Sequence, residues 1–177
     1  LLWDDSPEAR AKAEAEGFAL TDLTRHSALE GVAVLVTSPG IPHLFPEPNP
    51  IIARALELGV PVDNDIGLFF QSAAGDEWAE METPPKIVAV TGSNGKSTTT
   101  ALIAHLLRAL GHDVAMGGNI GAAILSLPPP DMTRTHVVEC SSFQIDLAPS
   151  IDPSVGVLLN LAPDHIDRHG TMSNYAA

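Results

Sequence analysis

The chain has one cysteine, Cys140, in 177 residues, so no disulfide can form within it, and a reducing compartment is the expectation. Positive charge is also scarce: 9 Lys and Arg stand against 22 Asp and Glu, a formal net charge of −13. Nucleic acid and anionic membranes are themselves negative, so nonspecific attraction to either is disfavoured. Any phosphate site must therefore be positive locally. No apolar run approaches the roughly 18 residues that a membrane span needs, and no charged-then-apolar leader opens the chain. These absences lead to the expectation of a cytoplasmic protein with neither nucleic-acid nor membrane partners; a monomer is also expected, though no residue pattern carries that. What is present is a globular composition, 45% hydrophobic and 18% charged, long enough for one or two domains with real cores.

The most informative stretch is Lys86-Ile-Val-Ala-Val-Thr-Gly-Ser-Asn-Gly-Lys-Ser-Thr98. Its β-branched run reads as a strand covered on both faces. Gly92 and Gly95 let the backbone turn N–H groups toward an anion, Lys96 adds positive charge, and Ser97 or Thr98 offers a hydroxyl to Mg²⁺. Leu102, Ile103, Leu106, Leu107 and Leu110 recur at helical spacing, with Gly111 as the stop. A helix N-terminus would thus lie under the phosphates. The general pattern G-x-x-x-x-G-K-[ST] asks for glycine at position 90, where Val90 stands, so an ordinary strand-turn-helix is the alternative.

Before this stretch, Ser6 and Pro7 start a helix that Gly17 ends, and Leu1 to Trp3 read as the tail of a strand. Asp4 and Asp5 at that strand end suit hydrogen bonds from a nucleoside or serve as solvated turn carboxylates. Val32 to Val36 read as a buried strand, followed by Thr37-Ser-Pro-Gly-Ile-Pro42 and a proline-rich loop in which His43 is a surface residue. Asn49 and Pro50 open a helix that Gly59 stops, and Pro61 to Asp63 open a short strand. This alternation predicts a parallel sheet, with Ile66 to Phe70 packing a helix on it. Ala73 to Pro85, with four acidic residues and two prolines, has a linker composition, which puts a domain boundary near residue 84.

Beyond the central helix, Val114 to Met116 predict a strand ending in Gly117-Gly-Asn-Ile-Gly121, either a simple turn or a place where Asn119 meets a ligand. Pro128 to Pro130 break the helix that follows. Thr135 to Val138 predict the next strand, with Glu139 at its tip. A hard oxygen there suits Mg²⁺, and a solvated glutamate is the alternative. Cys140 reads as a small packed residue. Val155 to Leu161 predict a further buried strand, after which Asp164, His165 and Asp167 form a cluster suited to metal or substrate. His26, His105, His112, His136 and His169 have no comparable setting.

Thr91-Gly-Ser-Asn-Gly-Lys-Ser-Thr98 resembles the phosphate loop of the Mur ligase and folylpolyglutamate synthase superfamily, where the first glycine is commonly absent. Gly117-Gly-Asn-Ile-Gly121, Glu139-Cys-Ser-Ser-Phe-Gln144, Asp164-His-Ile-Asp-Arg168 and Ser38-Pro-Gly-Ile41 look like the D-glutamate-adding branch of the Mur ligases. The resemblance implies an α/β fold: a partial Rossmann-like domain over residues 1–83, lacking its first strand, then a truncated ATP-binding domain of phosphate-loop type over 84–177. It implies ATP held by Gly92, Ser93, Asn94, Gly95, Lys96, Ser97 and Thr98, with Ser97 and Glu139 on Mg²⁺. His165 would be catalytic or meet a second metal ion, and Lys96 would be catalytic. Asp4, Asp5, Gly40, Asn119 and Ser141 would meet the substrate UDP-N-acetylmuramoyl-L-alanine.

The implied reaction joins D-glutamate to that substrate through an acyl phosphate, in peptidoglycan precursor synthesis. A sister ligase or folylpolyglutamate synthase adding another amino acid, or an ATPase without ligase activity, are the alternatives. The chain opens without Met and closes at Ala177 without a stop signal, so it reads as part of a longer protein. A C-terminal domain for D-glutamate, and the carbamylated lysine of the family, are expected beyond it. These residues alone are expected not to turn over.

Overall fold

The computed structural model describes residues 1–73 and 85–177. The expected linker and boundary near residue 84 lie outside the described residues. Helix α1 (Pro7–Ala15) starts at Ser6, whose side chain accepts from the Ala9 amide, with proline in the first turn. Strand β1 (Leu35–Val36), α2 (Pro50–Glu57), β2 (Val62–Asp63) and α3 (Asp65–Ala73) follow. After them come β3 (Lys86–Thr91), α4 (Lys96–Ala109), β4 (Val114–Gly118), β5 (Thr135–Glu139), α5 (Ser142–Asp146), β6 (Val155–Leu158), α6 (Ile166–His169) and α7 (Met172–Ala176). Among the described residues no helix is long and apolar enough to cross a membrane.

Among the described residues two sheets form, and every pairing in them is parallel. The first joins β1 to β2, and the second runs β4-β5-β3-β6. The expected α/β architecture with parallel sheets is what forms. In the larger sheet Val90 lies opposite Glu139, Glu139 opposite Gly118, and Thr91 opposite Leu158. The C-terminal ends of all four strands therefore share one edge, and so do the loops that leave them.

Some elements differ from the sequence expectation. Leu1 to Trp3 form no strand; the Leu2 carbonyl accepts from the Thr21 amide, with no strand ladder beside it. The strand expected from Val32 shrinks to two residues because the Val32 amide turns back onto the Leu29 carbonyl. The helix expected after β4 is a single 3₁₀ turn, Ile124–Ser126, cut short by the prolines that follow. Helix α4 buries Thr100 and Ala104, while Leu102, Leu106 and Leu110 stay exposed. A small alanine lets the helix axis approach the sheet, so the buried face is rotated from the one its leucines mark.

Helix α3 packs on the larger sheet and not on the small one. Ile66, Phe69 and Phe70 share a core with Ile87, Ala89 and Val138, each large buried side chain contributing about 1.5–3 kcal/mol. A second core gathers Leu29, Leu35, Ile52 and Ala55 around the small sheet. Asn64, fully buried, joins the halves: its Nδ2 donates to the Gln144 carbonyl at 2.8 Å and its Oδ1 accepts from the Gly67 amide at 3.0 Å. Asn64→Ala leaves two buried backbone groups unpaired, so it should cost about 2–6 kcal/mol at about 1–3 per group. Denaturant melts check this, and a loss under about 0.5 kcal/mol would contradict it.

Candidate active site

The loop between β3 and α4 is shaped by its own glycines and by chain far away in sequence. Gly92 and Gly95 have φ of 137° and 87°, a region that favours glycine. The Ser93 amide donates to the Asn160 carbonyl at 3.0 Å and the Asn94 amide to Asn160 Oδ1 at 3.0 Å. Ser93 Oγ donates to the Ala162 carbonyl at 2.9 Å and lies 2.8 Å from the Tyr175 hydroxyl. Ser93 and Asn94 therefore spend these groups on holding the loop. Gly95 caps α4 without a side-chain hydrogen bond, so the first helical amides, from Lys96 to Thr98, are the donors left for an anion. Ser97 and Thr98 are exposed there. Lys96 Nζ folds back onto the Gly92 carbonyl at 2.7 Å and the Ser93 carbonyl at 3.1 Å, so its charge sits on the loop. Val90, where the general motif has glycine, is fully buried within β3.

Glu139 ends the neighbouring strand, 1% exposed. Asn119 Nδ2 donates to its Oε1 at 2.9 Å, and the Asn119 amide donates to its carbonyl. Its Oε2 is buried and has no hydrogen-bond partner among the described residues. A buried carboxylate oxygen without a partner is costly, and a hard cation removes that cost. The orphaned oxygen, one strand from the phosphate loop, fits Mg²⁺. Among the described residues no group of three or more His, Cys, Asp or Glu side chains could hold a metal ion. The expected ligands Ser97 and Glu139 are oxygen donors of the kind that Mg²⁺ takes one or two of while keeping several waters, and His165 is the third member of the expected set.

His165 is exposed, and its φ of 51° makes it the one non-glycine residue in the left-handed region among those described. Its Nε2 lies 3.6 Å from Asp164 Oδ2, and its ring leans on Phe143 at 4.7 Å. Ser141 caps α5, accepting from the Gln144 amide at 3.2 Å, while Gln144 Oε1 accepts from the Ser141 amide at 3.0 Å. Burial pushes the Cys140 thiol up to about 12, which removes it as a nucleophile.

In the first half, Asp4 and Asp5 line a cavity of about 500 Å³ with Thr37, Ser38 and Asn49. Asp4 Oδ1 accepts from the Ser6 amide at 2.7 Å, and Asp5 Oδ2 from Asn49 Nδ2 at 3.0 Å. Gly40 is exposed, and its carbonyl accepts from Arg168. Asn160, Tyr175 and Arg168 escape a reading of the sequence because their partners lie 66 to 129 residues away. His43, expected at the surface, has its side chain only 12% exposed, with Nε2 2.7 Å from Asp146 Oδ2.

Residues 90–177 match the family described as Mur ligase middle domain, and the chain belongs to the Mur ligase family. Over all 177 residues it is 62% identical to a protein of Cereibacter sphaeroides named UDP-N-acetylmuramoylalanine--D-glutamate ligase. Proteins of the same name from Dinoroseobacter shibae and Ruegeria pomeroyi are each 55% identical over the same span. The chain spans 38% of the length of each of these curated relatives. A solved structure of a UDP-N-acetylmuramoyl-L-alanyl-D-glutamate--2,6-diaminopimelate ligase is similar at a TM-score of 0.43 and 23% identity. That likeness covers 71% of this chain and 33% of the other.

The close approach of the His43 ring holds the Asp146 carboxyl below its usual value, and burial holds the His169 ring below its own. Asp146 then stabilises the fold fully above about pH 4, and this is lost as pH falls through its lowered native value. His169 loses stability as pH drops below about 6.5, because the unfolded ring takes up its proton first. Asp146→Asn should lower the melting temperature at pH 7, with the difference from wild type vanishing toward about pH 2. Melts across pH check this, and a gap independent of pH would contradict it.

Proposed function

We propose that this chain is the nucleotide-binding part of an ATP-dependent, ADP-forming ligase that adds D-glutamate to UDP-N-acetylmuramoyl-L-alanine in peptidoglycan precursor synthesis. The single observation that carries the reading is the half-satisfied Glu139 carboxylate on the strand beside the phosphate loop. The choice of D-glutamate rests on the names of relatives at 55% to 62% identity. The enzyme is proposed to act as a cytoplasmic monomer on small molecules, with no nucleic-acid or membrane partner, in keeping with its charge of −13.

In this reading residues 1–83 hold the UDP-substrate and residues 84–177 hold ATP. Asp4, Asp5 and Gly40 border the cavity or its loop and are assigned to the UDP-sugar. The amides from Lys96 to Thr98 and the Lys96 ammonium receive the ATP phosphates, with Gly95 as the cap from which they start. Gly92, Ser93 and Asn94 shape the loop that presents them. Ser97 and Glu139 would hold Mg²⁺, which when bound neutralises phosphate charge. Asn119 orients Glu139 through its side-chain amide. His165 and Ser141 are assigned to the reacting end of the substrate or to a second metal ion. D-glutamate is assigned to the rest of the full-length protein.

The reaction brings a substrate carboxylate to the γ-phosphate, so two anions must meet. A carboxylate oxygen bonds to phosphorus as ADP leaves, and the D-glutamate amine then displaces phosphate from the carbonyl and loses a proton. This chain's contribution is electrostatic: Lys96 and the helix amides offset charge that grows on the phosphoryl oxygens. Full-length protein should release phosphate only when the UDP-sugar and D-glutamate are both present, and not with L-alanine or diaminopimelate. Phosphate release independent of amino acid would overturn the ligase reading. Lys96→Ala should lower kcat about a hundredfold or more with the melting temperature held within a few degrees. Undiminished turnover would contradict it.

A further inference from the structure

The two halves are tied by one side chain that the reading above leaves without a task. Arg168, in α6, donates from Nη1 to the Gly40 carbonyl at 2.8 Å and from Nη2 to the Pro39 carbonyl at 3.4 Å. These two carbonyls belong to the turn that follows β1, next to Ser38 and Ile41 on the wall of the 500 Å³ cavity. The same guanidinium lies over the Phe143 ring, its carbon 4.7 Å from the centroid. Phe143 in turn leans on His165 at 4.7 Å and stacks on His169 at 5.4 Å. One planar fork thus grips, with its nitrogens, the turn beside the cavity wall and, with its face, the Phe143 ring that leans on His165.

Neighbouring contacts reinforce this grip. His43 meets Asp146 at 2.7 Å from the same loop. Phe45 packs so closely on Gly170 that a Cβ added there would lie 3.0 Å from the ring. The loop from Pro39 to Phe45 is therefore fastened to α5, α6 and Gly170 of the second half.

We propose that Arg168 is a positioning residue for the UDP-linked substrate: it fixes the Pro39–Gly40 turn of the cavity in register with Phe143 and His165. This rests on the ligase reading and adds to it a residue that touches neither substrate. Two rigid donors on successive carbonyls with a flat face left for the Phe143 ring suit a guanidinium, whereas a lysine ammonium is a point charge without that planar fork and face. A misplacement of about 1 Å is enough to reduce binding or rate strongly.

The test uses the full-length protein with Arg168→Gln and Arg168→Lys. Arg168→Gln should raise KM for the UDP-sugar about tenfold while KM for ATP changes less than about twofold, and Arg168→Lys should fall between it and wild type. Amide hydrogen exchange over residues 37–45 should be several-fold faster in Arg168→Gln. Unchanged exchange overturns the clamp. Faster exchange with both KM values rising together, or with neither rising, overturns its role in substrate positioning. A wild-type protein that turns over no UDP-sugar overturns the ligase reading itself, and the exchange comparison still decides whether Arg168 holds the turn. If Arg168→Gln fails to fold, Arg168→Lys carries the same comparison.

Discussion

The parallel ladder that sets β3 between β5 and β6 governs most of what this molecule can do. Parallel pairing sends every strand out of the sheet at the same edge, and the crossovers must return along its faces. The phosphate loop after β3, Asn119 after β4, Ser141 after β5 and Asn160 after β6 are consequently neighbours. Asn160 closes hydrogen bonds on the loop, and Asn119 closes one on Glu139. Neither of these contacts is available to a chain with one of those strands reversed.

The same edge resolves an electrostatic conflict. A chain with net charge −13 repels phosphate at long range, yet in the proposed function its loop has to attract it. The attraction is local, from unpaired amides at the start of α4 and an ammonium folded onto loop carbonyls. Glu139 places a buried, half-paired carboxyl group beside this loop, and in the proposed function a cation would stand between it and the phosphates. In the proposed function the half-paired carboxylate is the group that a metal–nucleotide pair would satisfy.

What the sequence discloses and what it hides follow from the range of each interaction. The β3–loop–α4 unit is legible because a β-branched run, two glycines and a helical stretch lie within one short span. Glu139 is legible because it ends a buried strand. The burial of His43, the engagement of Ser93 and the grip of Arg168 are not, because each depends on a partner more than 60 residues away. The leucines of α4 mark a helix but not its buried face, since Ala104 packs more closely than any of them would. Strand β1 falls short of its hydrophobic run because a local turn at Val32 takes the amide first. The D-glutamate-adding branch is legible through family resemblance, and the names of the relatives carry the same assignment.

The central claim is that Glu139 receives the cation that accompanies the nucleotide. It is tested most directly by measuring ATP affinity of the full-length protein with and without Mg²⁺, for wild type and Glu139→Gln. The account predicts that Mg²⁺ tightens ATP binding to wild type by about tenfold, in line with one added charge-assisted contact of about 1.4 kcal/mol. It predicts no such gain in the variant, which should bind metal-free ATP as wild type does. An equal gain in both proteins would contradict it.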